Sequence, residues 1–133
     1  MLEFPYTKVN GISPIPIITT YFRNLSEPSI ITTCDCGILD TGSDLTIVSY
    51  TIISNLQATA IDRRQSISFR GLGRSSQGIA YRVGMSFDGM NFFGAKVIAV
   101  PDDVLNNEII IGRNILNRYE INFDGRNLIF KIS

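Results

Sequence analysis

The sequence predicts an all-β, barrel-like domain. Short apolar runs recur along the chain, each closed by a turn signal. Branched and aromatic residues dominate those runs, as half-buried strands require. One segment alone, Arg113 to Tyr119, carries its apolar residues, Ile115, Leu116 and Tyr119, at helical spacing. Regular short strands with one short C-terminal helix describe a small closed barrel.

Pro14 and Pro16 punctuate the start, because proline cannot donate to a central ladder. Ile17 to Phe22 then reads as a strand, Arg23 to Ser29 as a turn, and Ile30 to Leu39 as a second strand running into Asp40. Leu45 to Tyr50 is a short apolar run, and Thr51 to Ala60 a helical turn or a loose connection. Gln65 to Arg70 alternates as a half-exposed strand does. Gly71 to Gly78 reads as a flexible polar tip, and Ile79 to Phe87 as the returning strand. Asp88-Gly89 is a two-residue hairpin signal before a strand from Phe92 to Val100. Ile109 to Ile111 is a buried-strand run. Glu120 to Phe123, Asp124-Gly125 and Leu128 to Ile132 complete a last hairpin.

With 133 residues the chain is one domain, of which residues 1–14 are an N-terminal segment. Twelve basic and twelve acidic residues cancel, and no basic stripe shows, which speaks against nucleic acid as a partner. The absence of histidine removes Ser-His-Asp and Cys-His catalysis and most zinc sites. Cys34 and Cys36, two apart, would leave one strand face together and are badly placed for a bridge. They read as reduced thiols, and no metal or cofactor is expected. No apolar run approaches the ~18 residues of a membrane span, and the N-terminus lacks the features of a signal peptide. A soluble, cytoplasmic protein is expected.

Chemistry concentrates in two places. Ile38-Leu39-Asp40-Thr41-Gly42-Ser43 sets a carboxylate at a tight turn after an apolar run. Ile109-Ile110-Ile111-Gly112-Arg113-Asn114 follows much later. An Asp-[Ser/Thr]-Gly triplet alone is weak evidence, arising by chance in about one chain in twenty of this length. It is also an ordinary Asx-turn sequence. Together, however, the two segments closely resemble the active-site loop and supporting loop of retropepsin-type (retroviral-type) aspartic proteases. The likeness runs from Ile15 to about Phe123.

That resemblance implies an aspartic endopeptidase. One Asp-Thr-Gly per chain implies a homodimer, with two Asp40 carboxylates facing each other across a two-fold axis. Such carboxylates share one proton and work as a general acid–base pair on a water molecule; aspartic proteases are the standard instance. The resemblance makes Asp40 catalytic and has Thr41 reach toward the partner chain. Gly42 would let backbone approach the carboxylate. It pairs Asp44 with Arg113 beneath the site, with Ile110, Ile111, Gly112 and Asn114 as the supporting loop. Asn114 would begin or cap the helix. It makes residues 65–87 a flap, with Gly71, Leu72, Gly73, Gly78 and Ile79 over an extended peptide or protein substrate, and residues 120–132 a dimerisation hairpin.

Ser43 stands where retroviral enzymes commonly have alanine. A hydroxyl there could donate to the outer carboxylate oxygen of Asp40 and move the working range toward acid. The full terminal hairpin is more similar to the bacterial and eukaryotic ubiquitin-linked relatives, and the free-standing domain suggests a bacterial source. The alternative function is a non-catalytic module of the same fold that binds extended peptides. Ile47, Val48, Ile98 and Ile110 stay open between core and substrate pocket.

Overall fold

The computed structural model describes residues 1–61, 66–71 and 74–133, with backbone alone for 66–71 and 74–76. The strands are β1 (Leu2–Pro5), β2 (Ile17–Arg23), β3 (Ile31–Leu39), β4 (Ile47–Ser49), β5 (Ser66–Gly71), β6 (Arg74–Ser86), β7 (Phe93–Val100), β8 (Ile109–Ile111), β9 (Ile121–Asp124) and β10 (Ile129–Ile132). Two short helices, α1 (Tyr50–Leu56) and α2 (Arg113–Leu116), accompany them. The order β2-β3-β8-β4-β7-β6 closes on itself because Phe22 on β2 also pairs with Met85 on β6. This is a closed six-stranded barrel, with β5 added outside β6. A separate sheet runs β1-β10-β9.

Alternation builds the core. Ile18, Thr20 and Phe22 on β2 point inward and are almost fully buried, and Val83 and Met85 on β6 meet Ala95, Val97 and Ala99 on β7. Of the residues left open between core and pocket, Val48 joins this main cluster. Ile47, Ile98 and Ile110 form a second one with Ala80, Val100 and Leu105. The terminal sheet is fastened by Phe130, wholly buried in the main cluster and stacked on Phe4 at 5.3 Å.

Several local expectations change. The segment after Ser49 is a true helix, α1, whose Ile52, Ile53 and Leu56 are buried. Its sequence hides this: Thr51, Ser54 and Asn55 are weak helix formers. Packing decides instead, aided by Asp102, whose carboxylate accepts from the Thr51 N–H at 3.1 Å and from its hydroxyl. The C-terminal helix is shorter than the Arg113–Tyr119 reading, and its N-cap is Gly112 rather than Asn114. The Asp88-Gly89 hairpin is a longer connection, because β6 ends at Ser86 and β7 begins at Phe93. Asp88 Oδ1 accepts from the Met90 and Asn91 N–H groups, stabilising the wider turn.

The polar Gly71–Gly78 tip is mostly strand: β5 reaches Gly71 and β6 starts at Arg74, with Ser68 paired to Gln77 and Ile67 to Gly78. Leu72 and Gly73 lie outside the described residues. Residues 2–5 of the N-terminal segment join the terminal sheet, with Leu2 opposite Ile132. Among the described residues no helix is long and apolar enough to cross a membrane.

Candidate active site

β3 and β8 run parallel with Leu39 opposite Ile111, so both motifs emerge at one edge of the barrel. The Asp40 N–H donates to the Ile111 carbonyl at 3.0 Å, joining them directly. The loop then folds on its own carboxylate. Gly42 N–H donates to Asp40 Oδ1 at 2.9 Å, and Ser43 N–H to the Asp40 carbonyl at 3.2 Å. A Cβ on Gly42 would stand 3.2 Å from Oδ1, tighter than most real contacts. Glycine therefore lets the backbone close on the carboxylate. Asp40 is half-buried, while Thr41 and Gly42 are exposed.

The loop is held from below by the start of α2. Arg113 N–H donates to the Ser43 carbonyl at 2.8 Å and Asn114 N–H to that of Asp44 at 3.2 Å. First-turn amides of a helix lack intrahelical partners, and here loop carbonyls supply them. The Arg113 guanidinium spans the loop: Nη1 donates to the Thr41 carbonyl at 2.6 Å and Nη2 pairs with the Asp44 carboxylate. Because both side chains are substantially exposed, the pair contributes little stability, and its effect is to orient the loop. Gly112 leaves no alternative. A Cβ there would lie 2.1 Å from the Leu45 carbonyl oxygen and 2.5 Å from its carbon, both backbone atoms.

Thr46 is the residue that sequence reasoning missed. It is fully buried. Its hydroxyl donates to Asn114 Oδ1 at 2.7 Å and accepts from the Gly112 N–H at 3.1 Å. Its carbonyl accepts from Ile98 N–H at 2.9 Å, and Asn114 Nδ2 donates to the Lys96 carbonyl at 2.9 Å. One threonine thus ties the loop to β7 and α2. The only signal was a polar residue between Leu45 and Ile47, too common to decode. Ser43 departs from expectation. Its hydroxyl donates to the Leu45 carbonyl at 2.7 Å, not to Asp40. The sequence argument for an acid-shifted range loses its donor.

Ile79 on β6 is half-buried opposite Ala99, and Gly78 beside it is buried. A Cβ on Gly78 would come within 2.4 Å of Ile98 Cγ2 and 2.7 Å of the Ala99 carbonyl. This glycine is needed for close strand crossing rather than for freedom to bend. Ile98 in turn pairs with Ile47, and Ile47 with Ile110. The second apolar cluster therefore lies between the hairpin and the Asp40 loop, with Ile38 and Leu45 packed against it.

The thiols are half-buried and unbridged. Burial pushes both upward, and the nearby Glu108 and Asp35 charges add to this, so they stay protonated near neutral pH.

No family model and no curated protein matches the chain. Among solved structures, an EIAV protease complexed with the inhibitor HBY-793 matches with a TM-score of 0.54 and 16% identity. The alignment covers 84% of this chain and 93% of that one. At such low identity the likeness establishes the architecture alone: the chain has a retropepsin-like fold.

Proposed function

We propose that the protein is an aspartic endopeptidase that works as a homodimer, each subunit contributing one Asp40. The observation that carries this reading is the presentation of Asp40. A single half-buried carboxylate stands on a loop whose carbonyls are anchored by Arg113 and Asn114 and whose backbone closes on Oδ1. The retropepsin-like fold supports it.

In this reading a water molecule lies between two Asp40 carboxylates. The ionised one accepts a proton from the water as its oxygen attacks the peptide carbonyl, and the neutral one donates a proton to the carbonyl oxygen. Collapse of the tetrahedral species breaks the C–N bond, with the proton returned to the leaving nitrogen. No covalent intermediate forms. Thr41 links the two loops, Asp44 and Arg113 hold them level, and Ile110, Ile111, Gly112 and Asn114 fix their height. Substrate lies extended between the Gly42–Asp44 loop and the hairpin of residues 65–87, which closes as a flap over it. Ile79 and the cluster of Ile47, Ile98 and Ile110 supply the apolar wall. Residues 120–132 pair the subunits.

The test is cleavage of a diverse peptide library from pH 3 to 8 by wild type and Asp40→Asn, both at concentrations where sedimentation shows dimer. Cuts made only by wild type are expected. Saturable peptide binding with no cuts by a proven dimer would replace the enzyme with a peptide-binding module.

A further inference from the structure

The outer face of the barrel carries a cluster of cations that the sequence scatters. Arg82 on β6 stands directly opposite Lys96 on β7. Two residues on, Gly84 is opposite Gly94, and Arg23 on β2 is opposite Gly84 from the other side. The two glycines carry no side chain, and arginine side chains lie flat in the space this leaves, so that Gly84 is buried. The Cβ position of Gly84 is 2.8 Å from Arg23 Cγ and 3.5 Å from its Nε; that of Gly94 is 3.0 Å from Arg82 Nη2. Arg23 is flattened on the Phe92 ring at 4.2 Å. Arg118 donates from Nη1 to the Gly94 carbonyl at 3.0 Å, with its guanidinium over the Phe93 ring at 5.3 Å.

Among the described residues none of these four cations makes an ion pair. Like charges held together repel, and an anion bound over the flattened guanidiniums relieves that repulsion. Glycines and flattened guanidiniums give it a floor and planar donor forks, the geometry that suits oxyanions. A cavity of about 400 Å³ shares Arg82 with the cluster; polar Asn24, Ser26, Gln57 and Thr59 line it together with the Glu27 carboxylate, so any group attached to the anion there is neutral or cationic.

We propose that Arg23, Arg82 and Lys96, over the Gly84–Gly94 pair, form a binding site for a phosphate monoester dianion. Its Arg23 end is remote from Asp40, whereas Lys96 lies nearer, its carbonyl accepting from Asn114 Nδ2 at 2.9 Å. Arg23 pairs with Ile31, and Asp40 follows the far end of β3, roughly 30 Å of strand contour away at about 3.3 Å per residue.

The test is an amide NMR titration at constant ionic strength with four probes: inorganic phosphate, a phosphoserine peptide, the same peptide unphosphorylated, and a single-stranded oligonucleotide. Saturable shifts at Gly84, Gly94 and Lys96 with phosphate or phosphopeptide, and none with the bare peptide, are expected. Tighter binding of the phosphopeptide assigns the site to a phosphorylated side chain; equal binding assigns it to free phosphate. Arg23→Gln and Arg82→Gln should each weaken binding about tenfold, as loss of a charge-assisted hydrogen bond does. Lys96→Gln, at an exposed position, serves if the half-buried Arg23 variant does not fold. Shifts equal to those from chloride, affinity unchanged in Arg82→Gln, or far tighter oligonucleotide binding would each overturn the proposal.

Discussion

The Asp40 edge of the barrel and the terminal sheet are built on opposite principles. At the Asp40 edge, short segments far apart in sequence are locked by named polar contacts: Gly112 against Leu45, Thr46 against Gly112 and Asn114, Arg113 across Thr41 and Asp44. The terminal sheet has three strands, two outer edges, and one large buried anchor in Phe130. The Asp40 loop is thus preorganised within one chain, whereas β9, with Phe123 38% exposed, presents an edge. In the proposed homodimer, the geometry around Asp40 would be set before association, and association would be left to the less constrained part.

The largest expected effect comes from the locked edge. Gly112→Ala drives a methyl into Leu45 backbone, which cannot step aside, and should cost about 4 kcal/mol or more. Thermal unfolding would measure it; a melting point within a few degrees of wild type would deny that the two loops are in contact.

Phe130→Ala comes next, at about 3–5 kcal/mol from the lost core ring. Under the proposed dimer it also raises the concentration needed for activity, which sedimentation and dilution assays would read together. A pure stability loss with unchanged dimerisation would separate the terminal sheet from assembly.

Thr46→Val keeps the shape but leaves the buried Gly112 N–H unpaired, for about 1–3 kcal/mol. Activity should fall beyond what stability explains. Arg113→Lys should change stability by less than about 1 kcal/mol, because the pair is exposed. It should nonetheless lower kcat, since a lysine cannot span Thr41 and Asp44; undiminished kcat would remove the guanidinium clamp from the account.

The smallest effect is on pH dependence. Hydrogen bonds from Asn91 hold Asp88 well below the usual carboxylate range, and those from Thr51 lower Asp102. A depressed carboxylate stabilises the fold above its unfolded value, near about 3.9, and that contribution is lost as pH falls through the lower folded value. Melting temperature should therefore drop below about pH 4, with a shallower slope in Asp88→Asn. An identical slope would show that this turn does not matter in acid.

What the sequence made legible follows the same division. The Asp40 and Gly112 segments were readable because few residue types satisfy those contacts: a carboxylate at an Asx-turn, a glycine under a carbonyl, an arginine able to fork. Short apolar runs bounded by turn signals, such as Ile17 to Phe22 and Phe92 to Val100, exposed the barrel. Gly78 misled, since it answers to the close approach of Ile98 and Ala99, which no local pattern records. Helix α1 was hidden because burial of Ile52, Ile53 and Leu56 overrides weak propensity. Thr46, and the Arg23–Arg82–Lys96 cluster, depend on neighbours that only folding brings together.

The central claim is that each chain carries half of one active site. Its most direct test is a mixing titration, in which wild type is held constant and Asp40→Asn is added under conditions where subunits exchange. The account predicts inactive mixed dimers, so activity falls steadily as the variant captures wild-type chains. Activity that stays level while mixed dimers form would place a complete site in a single chain and contradict it.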